Sequence, residues 1–230
     1  MSNQELNFLL DELRLHSNPV NIAGMARYGI ITENALGVSM PILRAIAKRI
    51  NKNHQLALKL WASGIHEARV LAGLVAEPSQ TDRLTVMKWT EELNSWDICD
   101  QLCMNLLSKT ADARKLAVEL SKHEREFTKR AGFALMAVLS VHDKKAPDNV
   151  FEHFLMIIER ESCDGRNFVK KAVNWALRNI GKKNLELHVK AMCVAEKLTL
   201  SADKSARWIG SNALRELRDL KIIARIKPKK

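Results

Sequence analysis

Apolar residues return at three- and four-residue intervals along this chain, and no stretch alternates apolar and polar residues long enough to suggest a strand. Leu56, Leu60 and Trp61 keep that rhythm, as do Leu71, Leu74 and Val75. Further along, Leu116 and Leu120, Phe133 and Ala137, then Phe151, Phe154, Leu155 and Ile158 continue it. Start signals stand before several of these runs. Ser39 precedes Pro41, which suits a first turn where a missing N–H costs nothing. Ser79-Gln80-Thr81-Asp82 reads as a capping box, and Asp164-Gly165 precedes a helix running through Trp175. Gly181, followed by Lys182 and Lys183, reads as a helix stop. The pattern predicts an all-α fold of about a dozen helices joined by short loops.

The helices also repeat. Phe127-Thr128-Lys129-Arg130-Ala131 and Phe168-Val169-Lys170-Lys171-Ala172 match at a spacing of 41 residues. Charged centres at Arg69, Asp100, Arg130, Lys171 and Arg207 follow one another at 31, 30, 41 and 36 residues. Such spacing suits helix pairs stacked as a HEAT-like solenoid, in which the second helix of each pair lines a concave face. An irregular bundle is the alternative. The expected organisation is a single repeat domain over residues 1–230, with a frayed basic tail at 226–230.

With 230 residues and 47% hydrophobic content, the chain can bury an ordinary core. No apolar run approaches the roughly 20 residues needed to span a bilayer. The opening MSNQELNFLLDELRLH is acidic and amphipathic, with neither a basic leader region nor a small-residue cleavage site. These features predict a soluble, cytoplasmic protein, associated with the nucleoid if the source is bacterial. Cys99, Cys103, Cys163 and Cys193 form no CxxC pair and no zinc-finger spacing, so reduced, mostly buried thiols are expected, with no metal and no cofactor.

Charge changes the picture. The net charge is +11, and it is unevenly divided: residues 1–115 hold 13 Lys+Arg against 12 Asp+Glu, a net of +1, whereas residues 116–230 hold 24 against 14, a net of +10. A one-sided excess of this kind points to a polyanionic partner, because neutralising phosphates releases counterions and drives sequence-independent affinity. A solvated lysine-rich surface would give the same composition.

Against that basic background, Ser95-Trp96-Asp97-Ile98-Cys99-Asp100 places an indole and a carboxylate one helical turn apart, at Trp96 and Asp100. An anion beside an aromatic plate, in a cationic protein, suits a cationic group carried within a polyanion, and alkylated DNA fits. Asp97 is the alternative carboxylate, with Asp100 then pairing a neighbouring helix. Trp175 is either core or groove-facing, and Lys171 and Arg178 one turn to either side favour the groove. Trp61, Trp89 and Trp208 lack that setting and are expected in the core. Arg130 is either a phosphate contact or part of a solvated face. Arg44 and Lys48, one turn apart, could grip phosphate or simply line an exposed face. Arg166, Lys170, Lys171, Lys204 and Arg207 are further backbone-contact candidates without base specificity. His66-Glu67 lacks the second histidine of a metalloprotease motif.

Several strings, in this order and spacing, resemble one family over nearly the whole chain. They are Gly37-Val38-Ser39-Met40-Pro41, Leu60-Trp61-Ala62-Ser63 with His66-Glu67-Ala68-Arg69, Ser95-Trp96-Asp97, and Lys129-Arg130-Ala131, followed by Lys171-Ala172-Val173-Asn174-Trp175-Ala176-Leu177-Arg178 and Ala206-Arg207-Trp208-Ile209-Gly210. The chain resembles the DNA alkylation repair family, the AlkD-like DNA glycosylases. The resemblance implies HEAT-like repeats whose basic concave face holds duplex DNA, and removal of N3- and N7-alkylated purines by a monomeric enzyme. It implies that Asp100 is the essential aspartate, that Trp96 and Trp175 flank the lesion's deoxyribose, that Arg130 contacts phosphate, and that Tyr28 is an aromatic near the same groove. It also implies a lesion held from its backbone side, without a closed base pocket.

The residue types suit that chemistry in their own right. An N-alkylated purine is cationic and already a good leaving group, so cleavage mainly requires stabilising an oxocarbenium-like sugar and admitting water. A carboxylate supplies the matching charge and can orient the water. Indole faces favour developing positive charge. Three functions follow: a monofunctional glycosylase for alkylated purines, a non-catalytic DNA-structure binder, and a HEAT-repeat scaffold for acidic protein partners. Asp100, Trp96, Trp175 and Arg130 together favour the first, and the charge asymmetry disfavours the third.

Overall fold

The computed structural model describes residues 3–226, which contain fourteen α-helices, two 3-10 turns and no strand. They pack as two compact units, divided between Ala111 and Asp112. The first unit holds α1 (Asn3–Leu15), α2 (Pro19–Arg27), α3 (Met40–Ile50), α4 (His54–Ala62), α5 (His66–Val75), α6 (Arg83–Glu91) and α7 (Trp96–Asn105). The second holds α8 (Ala113–Leu120), α9 (Glu126–His142), α10 (Asp148–Glu161), α11 (Asn167–Gly181), α12 (Leu185–Thr199), α13 (Lys204–Leu217) and α14 (Leu220–Ile223). Of the expected frayed tail, Ile226 is buried, and residues 227–230 lie outside the described residues.

Short polar side chains set several of the helix starts. Asn18, Asn53, Asp82, Asn184 and Asp203 each accept backbone N–H groups of the first turn, satisfying donors that have no partner within the helix. The expected capping box at residues 79–82 is corrected. Pro78–Gln80 forms a separate 3-10 turn, and Asp82 alone caps α6, accepting from the Thr85 N–H at 2.7 Å. Proline's fixed φ favours that tight turn, and the extended Thr81 separates it from the helix. The stop at Gly181 is where the pattern placed it, but for a different reason. A Cβ there would lie 2.8 Å from Leu217 Cδ2, so glycine permits α11 to approach α13 closely.

In the second unit α8 packs on α9, α10 on α11 and α12 on α13, while the second members α9, α11 and α13 pack side by side. This is the paired arrangement the repeat spacing predicts. The middle of α9 is buried on all sides, from Thr128 to Ser140. Its Gly132 is needed because a Cβ would fall 2.3 Å from the Ser121 nitrogen. Lys129, buried with the rest, is compensated by Glu161 at 2.7 Å and Asp164 at 2.9 Å. Burial pushes the Asp164 carboxyl up, but hydrogen bonds from Arg166 and Lys129 outweigh this and hold it well below the usual carboxylate range.

In the first unit α5 packs against α3, α4 and α7. Trp61 of α4 and Trp89 of α6 stack with ring centroids 4.4 Å apart, both in the core as expected. The Trp61 indole N–H donates to Glu92 at 2.7 Å, so the buried ring keeps a polar partner. Of the cysteines, Cys99 and Cys103 are buried, whereas Cys163 and Cys193 are exposed, which corrects the expectation of mostly buried thiols.

Candidate nucleic-acid interface

The start of α7 organises the surface of the first unit. Ile98, Cys99, Leu102 and Cys103 form its buried stripe, which leaves Trp96 and Asp100 together on another face, both half-buried. The Trp96 indole N–H donates to the backbone carbonyl of Tyr28 at 3.1 Å. Tyr28 ends α2, and Gly29 follows with a φ of +73°, a left-handed step that suits glycine. The Tyr28 side chain is 72% exposed. The hydrogen bond therefore joins the end of α2 to the start of α7, and Asp100 lies one turn further along the Trp96 face of α7.

Asp97 is differently employed. Its carboxylate meets His66 Nε2 at 2.8 Å and accepts from the Ser95 hydroxyl. Burial pushes its pKa up, but the contacts with His66 and Ser95 prevail and hold it below the ordinary aspartate value. Asp97 thus anchors α7 to α5. Next to His66, the buried Glu67 accepts from the Leu36 N–H at 2.8 Å and the Gly37 N–H at 2.6 Å, and the His66 N–H donates to the Asn34 carbonyl at 2.9 Å. Gly37 is required there: its φ is +75°, and a Cβ would stand 2.3 Å from the Asn18 carbonyl oxygen. Between these elements lies a recess of about 470 Å³, mostly apolar, bordered by Met25, Tyr28, Met40, Val70, Trp96 and Asp97. The resemblance implied no closed base pocket, and the sequence offered no sign of this recess, because its lining comes from four helices and a loop. The anchoring roles of His66, Glu67 and Asp97 were also missed. They sit at helix starts, where no periodic signal marks an inward turn.

Arg44 and Lys48 are exposed on α3, one turn apart. In the second unit Trp175 is half-buried on α11, so it is not a core side chain. Lys171, one turn before it, is exposed, but Arg178, one turn after it, is paired with Glu216. Lys182 shares that carboxylate at 2.7 Å. Arg130 is only 6% exposed and donates to the Phe168 carbonyl at 2.8 Å, so it ties α9 to α11. Arg166 is engaged by Asp164 at 2.5 Å and by the Glu124 carbonyl. Lys204 is exposed, and exposed Arg207 donates to the Ser201 and Ala202 carbonyls at 2.8 and 2.7 Å.

Trp208 corrects the sequence reading, which placed it in the core. It is 39% exposed, with Lys170 Nζ 4.9 Å from its ring centroid. The inward stripe of α13 runs through Ala206, Ile209, Ala213 and Leu217, and position 208 falls outside it.

Comparison with known proteins bears on this arrangement. The profile of the family described as DNA alkylation repair enzyme matches residues 9–217. The chain belongs to that family. It is also similar to a solved structure described as a new family of proteins related to the HEAT-like repeat DNA glycosylases with affinity for branched DNA structures. The TM-score is 0.77 at 19% identity, covering 98% of each chain. No curated protein matches the sequence. The fold is thus all-helical and HEAT-like, as the periodicity and repeat spacing predict. Among the described residues, no group of three or more His, Cys, Asp or Glu side chains is placed to hold a metal ion, and no helix is long and apolar enough to cross a membrane.

Proposed function

We propose that the protein is a DNA glycosylase that hydrolyses the N-glycosidic bond of N3- and N7-alkylated purines in duplex DNA. The observation that carries this reading is the shared face of Trp96 and Asp100 on α7, with the indole pinned to the Tyr28 carbonyl. The bond from C1′ to the purine nitrogen breaks with its electron pair moving to the cationic base, which leaves as a neutral alkylpurine. Asp100 stabilises the oxocarbenium character at C1′ and orients water, whose oxygen bonds to C1′ as its proton passes to the carboxylate or solvent. The products are the free base and an abasic site. Trp96 and Tyr28 pack against the sugar-phosphate edge, and Trp175 offers a second indole to DNA. Arg44 and Lys48 on the first unit, and Lys170, Lys171, Lys204 and Arg207 on the second, neutralise phosphates. Arg130 and Arg166 act mainly by holding α9 and α11 in register, given the partners they already have.

A second reading is binding of DNA structures without catalysis, favoured by the description of the solved relative. One experiment separates the two. Duplex containing a single N7-methylguanine is incubated with the native protein and with Asp100→Asn. The glycosylase reading expects free base from the native protein and at least about a hundredfold less from the variant. Equal release from both removes Asp100 from the mechanism, and salt-sensitive binding without release from either establishes the binding reading.

A further inference from the structure

Trp208 is a large aromatic side chain that the second unit leaves substantially at its surface. Lys170 of α11 lies against its ring, and Lys171 of the same helix lies 6.0 Å from the Phe168 ring centroid. Phe168 in turn contacts Phe127 of α9, with centroids 5.3 Å apart and planes tilted by 32°. Aromatic rings and lysines therefore alternate across the starts of three neighbouring helices, in the half of the sequence that carries a net charge of +10. A surface indole set among cations is poorly suited to duplex phosphate alone, since charge would do that work without exposing an apolar ring. It is suited to an unpaired nucleotide, whose base offers a π-face to the indole while its phosphate meets the lysines.

We infer that Trp208, with Lys170 and Lys171, is a stacking ledge for an unpaired nucleobase, so that the second unit favours DNA in which a single strand leaves a duplex. This rests on the reading of the protein as DNA-directed and deepens it by naming the side chains that would receive an unpaired base. The lysine leaves the ring for the phosphate as the base takes its place, exchanging a cation–π contact for an ion pair.

The test measures affinity of the full chain by fluorescence anisotropy for three DNAs: blunt duplex, the same duplex with a single-stranded thymine overhang, and the same duplex with an overhang of abasic units. Native protein is expected to bind the thymine overhang more tightly than either of the others. Trp208→Ala is expected to lose about tenfold on the thymine overhang, the scale for one lost stacking contact. It should bind blunt duplex as the native protein does, and Trp208→Phe should keep most of the preference. Equal binding of thymine and abasic overhangs overturns the ledge, because phosphate charge would then account for the affinity. So does an equal loss on overhang and blunt duplex, or no loss at all. Release of N7-methylguanine is followed in parallel. If blunt duplex is bound and processed without any overhang preference, the ledge alone fails. If no DNA of any form is bound, the DNA-directed reading fails with it.

Discussion

Replacing Lys129 by Met removes an ammonium group while keeping most of its apolar stem, and the consequence can be worked out from the structure. Lys129 is 9% exposed, and its ammonium sits 2.7 Å from Glu161 and 2.9 Å from Asp164. At an effective dielectric of about 20, each contact is worth roughly 6 kcal/mol of gross Coulomb energy, most of it offset by desolvation. Breaking a buried pair by deleting one partner ordinarily costs about 3–5 kcal/mol, because the remaining charge is stranded. Here each carboxylate keeps an arginine, Arg160 at 2.7 Å from Glu161 and Arg166 at 2.5 Å from Asp164, so the expected loss is smaller. We expect Lys129→Met to destabilise by about 2–3 kcal/mol at neutral pH, seen as a lower urea midpoint with an unchanged slope. The pH dependence has a fixed sign. Glu161 and Asp164 both have pKa values lowered in the fold, with burial opposing and the hydrogen bonds from lysine and arginine prevailing. Their stabilisation is complete above the unfolded carboxylate pKa of about 4 and drains away as pH falls towards the folded values. The deficit of the variant should therefore narrow as urea titrations are taken from pH 7 down to about pH 2. A variant as stable as the native protein, or a deficit constant across that range, would refute the account.

Three further outcomes are expected. Gly132→Ala forces a methyl group to within 2.3 Å of the Ser121 nitrogen and 2.7 Å of its Cα, backbone atoms that cannot swing aside, and should cost about 2–3 kcal/mol in urea unfolding. Glu67→Gln replaces one of the two carboxylate oxygens that accept the Leu36 and Gly37 N–H groups with an NH2 donor, and should cost about 1–3 kcal/mol. Faster hydrogen exchange at the Leu36 and Gly37 amides would report the loosened loop, and unchanged protection there would count against the anchoring role. Lys171→Ala should reduce the slope of log affinity against log salt by about 0.9 for duplex DNA, equally for all sequences, as expected for one phosphate contact. A sequence-dependent change would instead indicate base contact.

The helical class, the pairing of helices in the second unit and the division of charge were legible because each depends on short-range periodicity or simple composition. Phe127 and Phe168 occupy equivalent places at the starts of α9 and α11, as their 41-residue spacing indicates, and their rings meet. The proximity of Trp96 and Asp100 was equally legible, since one helical turn places them on one face. Helix starts were less so. Residues 79–82 contain three capping side chains in four positions, and only backbone geometry selects Asp82.

What the sequence determined by itself is therefore local: where helices form, which stripe of each is apolar, and how many charges each half carries. Tertiary structure decided the employment of those charges and aromatic rings. Asp97 and Asp100 look alike in sequence, yet the approach of α5 commits Asp97 to His66. Arg130 and Lys171 hold matching repeat positions, yet burial commits Arg130 to the Phe168 carbonyl and leaves Lys171 exposed. Trp208 reads as a core tryptophan and stands at the surface beside Lys170. The physical reason is one of range. Periodicity encodes which side of a helix faces inward, whereas an ion pair or a stacked ring depends on a partner some 30 to 40 residues away, brought near only by packing.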